Sequence, residues 1–392
     1  MRIYRIKRLI TLLGLVALLA AAASPSSVYH PIVTFNDSGS YDLGLARTGS
    51  AFLVSYRDGG DSLHGNARVG LVVNNIISFG PEATFNSANT GETAIAIVAT
   101  NTFAVAYSDW GDSDKGKVVI GTLSGSTISF GSEYIFNNGA TGSISIDQVL
   151  ANKFVIAYKD DGDSSHGKAI VCTNSGTVVS CGSETTLNAA TTTFISLEIL
   201  KGASPAAFAL AFRDFGDSHR GKAIIGEISG TTITFGCEYT FNTGISGHIS
   251  VTALTDDKFA VAYRDESNMS YGTARIGTVS GTVITFGSEY VFKTGHTELE
   301  GNSGIARLSD TSFALAYIDD EDDGYSLVAS VSGTTITFGS PQAYNPSTTS
   351  GIPVVDSLSG GYVVCWADGS GTQRGKCRVN GDALNFLPRV SK

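Results

Sequence analysis

Short runs in which large and small or apolar and polar side chains alternate fill most of the chain. One run, Lys258 to Tyr263, reads Lys-Phe-Ala-Val-Ala-Tyr and is followed by Arg264 and Asp265. A period of two places every second side chain on the same face of a strand. The pattern predicts a buried β-strand that closes on an aromatic residue and leads into a polar loop.

The same ending recurs at a nearly constant spacing. An aromatic residue closes an alternating run at seven positions: Tyr56, Tyr107, Tyr158, Phe212, Tyr263, Tyr317 and Trp366. A fixed period near 50 residues is typical of a repeat architecture. Each repeat contains four runs, which in the fifth repeat span 249–254, 258–263, 273–279 and 283–286.

Glycines mark two places in each repeat. A Ser-Gly pair separates the third and fourth runs in five of the repeats, and glycine supplies the positive φ of a tight hairpin. A second glycine follows the fourth run, where it predicts a bulge or bend in an outer strand. These second glycines are Gly80, Gly131, Gly182, Gly236, Gly287 and Gly339.

Seven repeats of four strands predict an all-β fold, a seven-bladed β-propeller with four antiparallel strands per blade. Tandem sandwich domains would need about 100 residues per unit. The segment Ile32 to Asn36 resembles the end of the fourth run but precedes the first repeat, and the last repeat stops near Asn385. We expect the ring to be closed by this N-terminal strand, which completes the last blade.

From about His30 to Lys392 the chain resembles the secreted seven-bladed β-propellers. The resemblance is to a fold superfamily, and it implies binding loops on one face of a ring. The chain lacks the Gly-His and Trp-Asp pairing of WD repeats and the double glycine of kelch repeats. It also lacks the calcium loop of integrin-like propellers and the Asp box of sialidases. No functional family follows from the sequence.

Residues 1–23 have the three parts of a secretory signal peptide: a basic head, an apolar run from Leu9 to Ala20, and small residues up to Ala23. The apolar run is short for a membrane span of about 20 residues. We therefore predict export, to the periplasm, cell surface or medium, and a single monomeric domain over residues 24–392. The net charge of −10 argues against nucleic acid or an anionic membrane as a partner.

Five cysteines allow disulfides in an exported protein. Cys365 and Cys377 end and begin adjacent runs, so we expect them to face each other and form a bridge. Cys172 and Cys181 also lie on adjacent strands, but counting through the turn places them on a diagonal of about 7 Å or more, which is too long for a bridge. Cys237 has no evident partner.

The loop after the second run carries the richest pattern of polar residues. It begins with Asp and, in the first four repeats, continues with Gly, a second Asp, and His, Lys or Arg before another Gly. The candidate ligand-binding residues are Asp58, Asp61, His64, Asp109, Trp110, Asp112, Asp160, Asp163, His166, Asp214, Asp217, His219, Arg264 and Asp265. In the sixth repeat the loop is an acidic run that contains Asp319, Asp320, Asp322 and Asp323.

Three interpretations of these loops remain open. The Asp and Ser side chains can cap backbone N–H groups of their own loop. The carboxylates can bind Ca²⁺, which takes six to eight oxygen ligands, with the acidic run of the sixth repeat as the metal site. Finally, exposed rings such as Trp110, Phe215, Tyr271 and Tyr325 can stack on sugars while carboxylates hold the hydroxyl groups.

No catalytic spacing of Ser, His and Asp stands out in the sequence. An active site breaks the symmetry of a repeat, whereas the best-kept loops are alike. The sequence therefore favours an exported binding or adhesion module for a glycan or a surface protein, with lectin-like carbohydrate binding through loops on one face. The alternatives are a polysaccharide hydrolase or lyase with carboxylates near the central channel, and a structural surface protein. Ca²⁺ is the one candidate cofactor.

Overall fold

The protein is all-β, and its strands pair in an antiparallel manner. The computed structural model describes residues 30–49, 51–299, 303–345, 349, 351–369 and 371–381. The predicted signal peptide and the end of the last repeat lie outside the described residues. Within those ranges, no helix has the length and apolar character needed to cross a membrane.

The strands recur in groups that follow the sequence repeats. The first half of the chain contains β1 (Val33–Thr48), β2 (Ala51–Asp58), β3 (His64–Val73), β4 (Ile76–Phe79), β5 (Ala83–Asn86), β6 (Thr90–Ala99), β7 (Thr102–Asp109), β8 (Lys115–Ser124), β9 (Thr127–Phe130), β10 (Tyr134–Leu150), β11 (Lys153–Asp160), β12 (His166–Ser175), β13 (Val178–Cys181) and β14 (Thr185–Ile199). The second half contains β15 (Ala206–Asp214), β16 (Arg220–Ser229), β17 (Thr232–Phe235), β18 (Tyr239–Ala253), β19 (Lys258–Asp265), β20 (Tyr271–Ser280), β21 (Val283–Phe286), β22 (Tyr290–Lys293), β23 (Ile305–Ser309), β24 (Ser312–Ile318), β25 (Gly324–Ser332), β26 (Thr335–Phe338), β27 (Gln342–Asn345), β28 (Val354–Leu358), β29 (Gly361–Asp368) and β30 (Arg374–Asn380).

The second repeat shows how one sheet is built. Strands β6, β7 and β8 form an antiparallel meander, and β8 then pairs with both β9 and the front of β10. The predicted bend at Gly131 is a complete break, because its N–H donates to Ile120 O at 3.0 Å and the chain then leaves the ladder. The fourth run is thus two short strands that share one partner.

Long strands connect one repeat to the next. The front of β10 pairs with β8 and its back with β11, and β14 and β18 divide in the same way. Strand β1 does the same at the ends of the described chain: Val33 to Gly39 pairs with β30, and Gly44 to Thr48 pairs with β2. The N-terminal strand therefore lies in the sheet of the last repeat.

The first strands of successive repeats contact one another in order. Strand β1 contacts β6, and the series continues through β10, β14, β18, β23 and β28, which contacts β1 again. Residues from each of these strands or the segments beside them line the same central space. The start of each first strand lies beside the loop after the second strand, since Ser40 pairs with Asp58.

Aromatic residues of the second strands fill the spaces between sheets. The seven marker aromatics are at most 1% exposed. The second-strand phenylalanine packs over a glycine of the third strand: a Cβ added at Gly121 would lie 2.2 Å from Phe103 Cζ, and one at Gly226 would lie 2.3 Å from Phe208 Cζ. Large residues therefore pack against small ones on the neighbouring strand, in addition to alternating with small ones along their own strand.

Two disulfides join adjacent strands. Cys365 and Cys377 pair across β29 and β30. The expectation that Cys172 and Cys181 lie too far apart was wrong: they are direct partners, with Cα atoms 4.0 Å apart, and form a disulfide. Ser175 pairs with Val178, so the turn is centred one residue later than the sequence count assumed. Cys237 is free and exposed.

Candidate functional site

The first aspartate of each repeated loop is buried and caps its own loop. Asp109 Oδ1 accepts a hydrogen bond from Gly111 N at 3.0 Å and N-caps a 3-10 helix, Trp110–Asp112. Asp160 and Asp214 cap the equivalent helices, Asp161–Asp163 and Phe215–Asp217. Asp58 and Asp265 accept from Gly60 N and Ser267 N. For these five residues the self-capping interpretation describes the observed contacts.

The second aspartate is more exposed and holds basic residues of the same repeat. Asp112 lies 2.9 Å from Lys115 and 3.2 Å from Lys117, and these amines lower the pKa of its carboxyl group. Asp163 and Asp217 lie 2.6 Å and 2.7 Å from the lysines equivalent to Lys117. Of the loop histidines, His64 and His166 pair with Asp61 and Asp163, and His219 contacts Arg213.

The acidic run of the sixth repeat does not gather its carboxylates. Asp319 accepts hydrogen bonds from the backbone of Glu321 and Asp323, and Asp320 pairs with Lys293 at 3.0 Å. Throughout the described ranges, no three His, Cys, Asp or Glu side chains are placed to hold a metal ion. For Asp319, Asp320, Asp322 and Asp323, side-chain geometry thus gives no support to the calcium hypothesis.

A cavity of about 220 Å³ opens at the centre of the face that carries these loops. We call it the mouth cavity. Its lining residues occupy the same position in successive repeats. In the first five repeats the position lies on the first strand, two residues after the residue that pairs with the loop aspartate in the sheet. These residues are Asp42, Glu92, Ser143, Phe194, His248 and Leu299.

The lining of the mouth cavity breaks the symmetry of the repeat. Four of these residues adopt a left-handed backbone, with φ of 50° at Asp42, 47° at Ser143, 51° at Phe194 and 50° at His248. Glycine or asparagine adopts this conformation at the lowest cost, and strained residues of other types cluster at functional sites. The repeats thus place chemically different side chains at equivalent positions with the same strained backbone. This difference indicates one asymmetric site at the centre of the face, not several identical sites.

An arginine lies between two aromatic rings on one side of the mouth. The guanidinium carbon of Arg57 is 5.0 Å from the Tyr41 ring centroid and 4.8 Å from that of Trp110, which comes from the next repeat. The same arginine pairs with Asp42 at 2.9 Å. The Trp110 side chain remains 45% exposed, so this cluster offers an oriented aromatic surface to solvent.

A second arginine cluster lies further around the mouth. Arg213 is 4.9 Å from the Phe215 ring and 5.7 Å from the Phe194 ring. Phe215 also contacts the His219 ring, and Phe194 contacts the His248 ring at 5.3 Å. Arg264 lies nearby in the same network, 2.8 Å from Glu266, which also pairs with Arg213. Tyr271 and Tyr325 lie at the start of the third strands β20 and β25 and are partly buried.

The acidic side of the mouth is protonated more readily than free carboxyl groups. Desolvation raises the pKa of Glu92, and the neighbouring Asp42 charge raises it further. The Glu92 side chain is exposed inside the cavity, but the protein that surrounds the cavity desolvates its carboxyl group. Desolvation also raises the pKa of Asp42, partly offset by Arg57. His248 Nδ1 donates to Leu299 O at 3.0 Å, and burial lowers its pKa, so a neutral ring keeps Nε2 as an acceptor.

The sequence interpretation located the loop face but missed most of the mouth cavity. Trp110, His219 and Arg264 belong to its rim clusters, whereas the capping aspartates point into their own loops. Asp42, Glu92, Phe194 and His248 were not singled out. Aligning the repeats on the loop aspartate and comparing the position 16 to 20 residues before it would have revealed them, because chemically unlike residues replace one another there.

No family model and no curated protein matches the sequence. A crystal structure of the BP39L lectin from Burkholderia pseudomallei is similar, with a TM-score of 0.65, 9% identity, and coverage of 85% of this chain and 94% of that one. Sqt1 from Saccharomyces cerevisiae is also similar, with a TM-score of 0.53, 10% identity, and coverage of 91% and 99%. At these identities the likeness shows the fold alone, and that fold is β-propeller-like.

Proposed function

We propose that the protein is an exported seven-bladed β-propeller that binds carbohydrate at the mouth cavity and over the loops around it. The cyclic contacts among the first strands and the pairing of β1 with β30 support a closed ring. Seven sequence repeats support the number of blades. The signal-like residues 1–23 support export.

The observation that carries the carbohydrate proposal is the asymmetric mouth with its two arginine–aromatic clusters. Sugars present apolar C–H faces and hydroxyl groups in one molecule. Trp110 and Phe215 supply exposed ring surfaces held in place by Arg57 and Arg213, while the carboxyl group of Glu92 lines the cavity and can accept hydrogen bonds from sugar hydroxyl groups. Such a combination of apolar walls with a few oriented polar groups is typical of ligand sites. The similarity in fold to the BP39L lectin is consistent with the proposal of carbohydrate binding.

A glycan array tests this function. Replacing Trp110 with Ala should weaken binding of the best glycan about tenfold, because removing a large oriented ring from the rim of the site costs about 1.4 kcal/mol. Val178→Ala is the matched control: Val178 is 71% exposed on β13, an outer strand, and its loss should leave affinity unchanged. Absence of glycan binding by the wild type would favour the structural-protein alternative.

The same array run with and without a chelator tests calcium. Because the loop carboxylates already hold lysines and backbone N–H groups, we expect binding and melting temperature to be independent of Ca²⁺. A chelator-dependent loss of binding would restore the calcium hypothesis with ligands other than converging side chains.

Hydrolysis is the second candidate function, favoured by one observation. Asp42 and Glu92 are neighbouring desolvated carboxyl groups with different partners, an arginine for Asp42 and a backbone N–H for Glu92, and carboxyl pairs in unlike surroundings divide base and acid roles in glycosidases. Turnover of a bound glycan that Glu92→Gln abolishes without loss of binding would assign the enzyme function.

A further inference from the structure

A second cavity lies at the opposite end of the same strands. It has a volume of about 290 Å³ and is lined by residues about five positions further along each first strand, such as Arg47 and Gln148, where the mouth cavity has Asp42 and Ser143. We call it the distal cavity. None of the repeated loops reaches it, so the carbohydrate proposal does not explain its side chains.

One position in the distal cavity differs sharply between repeats. The position lies on the first strand, one residue before the partner of the phenylalanine, or in the last repeat the tyrosine, near the start of the second strand. Its residues in successive repeats are Ala46, Ala96, Asp147, Glu198, Thr252, Ala306 and Asp356. The small residues show that the fold needs no carboxyl group here. A desolvated carboxylate is costly unless it is paired, so each acidic residue at this position requires an explanation.

Two of the three acidic residues have structural partners. Asp147 Oδ2 accepts from Ile199 N of the next first strand at 2.8 Å, and its Oδ1 accepts from Gln148 N at 2.7 Å. Asp356 accepts from Ser357 N at 2.6 Å and from the backbone of Arg47 in the following repeat. These carboxylates join neighbouring first strands, and their hydrogen bonds offset the cost of burial.

Glu198 has no such role. Within the described part of the chain, its carboxyl group forms no hydrogen bond or ion pair. The side chain is partly exposed and lines the distal cavity. Desolvation raises its pKa well above the ordinary value, and the charges of Asp147 and Asp356 add to the rise, against smaller opposing effects of Lys201 and Arg307. The negative charges of Asp147 and Asp356 near Glu198 favour an added positive charge beside it.

Two of the three basic residues that line the cavity have partners at its rim, and the third, Lys201, points to solvent. Arg47 donates to Gly49 O and Ser359 Oγ. Arg307 donates to Leu254 O and pairs with Asp310. None of the three forms an ion pair with Glu198 at the distances of the structure.

We propose that the distal cavity binds a small organic cation of the primary-ammonium class, with the carboxylate of Glu198 as its counter-ion. An ammonium group has three donors, which Glu198 and neighbouring backbone carbonyls can accept. A volume of about 290 Å³ lies at the lower end of ligand sites, so it admits an amine of a few carbon atoms and excludes a polymer. When the amine binds, any proton held by Glu198 is released to solvent.

Titration calorimetry of the full chain with n-butylammonium tests the proposal. The wild type should bind one equivalent and release protons, seen as a heat that changes with the ionisation enthalpy of the buffer. Glu198→Gln should weaken binding at least tenfold and abolish the proton release. Glu227→Gln is the matched control, a partly buried glutamate on β16 of the same repeat, and should bind as the wild type does.

Three outcomes would overturn the proposal: no binding of butylammonium, equal binding by Glu198→Gln, or tighter binding of butanoate, which would assign the cavity to its basic rim. Glu198→Ala guards against misfolding, because Ala46, Ala96 and Ala306 occupy the same position in other repeats. It should keep the wild-type melting temperature and lose the amine. Trp110→Ala should bind the amine normally, which separates this cavity from the mouth.

Discussion

Two aspartates three residues apart in the third repeat have different physical roles. Asp160 is 7% exposed and accepts from both Gly162 N and Asn137 Nδ2. Asp163 is exposed, and the side chain of Lys168 lowers the pKa of its carboxyl group. Burial and hydrogen bonding, not residue type, separate a structural carboxylate from a surface one.

Replacing Asp160 with Ala should lower the free energy of unfolding by about 1–3 kcal/mol, because a loop cap is lost and a buried amide is left without its acceptor. Asp163→Ala should change it much less, as expected of an exposed ion pair screened by solvent. Urea unfolding of both variants measures the difference. Equal losses would mean that the ion pair, not the cap, orders the loop.

The residue scale is also where sequence analysis failed. The alternating runs predicted the strands, and the repeated loops were located correctly, because both depend on local patterns. The mouth cavity depends on side chains that different repeats bring together around the centre, and Asp42 or His248 has no local signature. Cys172 was missed for a smaller reason: a shift of one residue in the turn exchanges a diagonal for a direct pair.

At the scale of the element, the third strand is the shared partner within each repeat. Strand β16 pairs with β15 on one side and with β17 and β18 on the other. Its Gly226 lies under the ring of Phe208 of β15 and leaves the space that this ring fills. The sequence showed the glycine and the phenylalanine but not that they meet.

Gly226→Ala should reduce the free energy of unfolding by about 1–3 kcal/mol, because the added Cβ would lie 2.3 Å from Phe208 Cζ and overpack the core. The control Thr234→Ala, an exposed position on β17, should cost less than about 0.5 kcal/mol. Adding Phe208→Leu to Gly226→Ala makes room for the methyl group, so the double variant should lose less than the sum of the single variants in chemical denaturation.

At the scale of the whole molecule, desolvated carboxyl groups accumulate around the two central cavities. Desolvation by the surrounding protein raises the pKa of Asp42, Glu92, Asp147, Glu198 and Asp356. The folded state therefore binds more protons than the unfolded state above pH 4. Their contribution to stability is present in full below the unfolded pKa and is lost as the pH rises through the folded pKa.

Asp356 sets the window of this effect, because desolvation raises its pKa from 3.8 to about 6. In the wild type, the unfolding free energy should fall as the pH rises from about 4 to 6. Asp356→Asn, which cannot titrate, should remove up to about 3 kcal/mol of that change. Urea midpoints at pH 4, 5, 6 and 7 measure it. An unchanged slope in the variant would assign the pH dependence to the other carboxyl groups.

The long strands β1, β10, β14 and β18 each belong to two repeats and leave no seam between those neighbours. Pulling one sheet apart at β10, β14 or β18 would strip an edge from the next sheet, so heat or force should not separate the repeats that these strands join one at a time. Unequal recombination within the gene would meet the same constraint: a breakpoint inside such a strand leaves two half-strands, and only a whole copy of the repeat supplies the missing halves. At these strands the boundary between two sheets therefore lies within one continuous strand, so the chain is unbroken where the repeat pattern places a division.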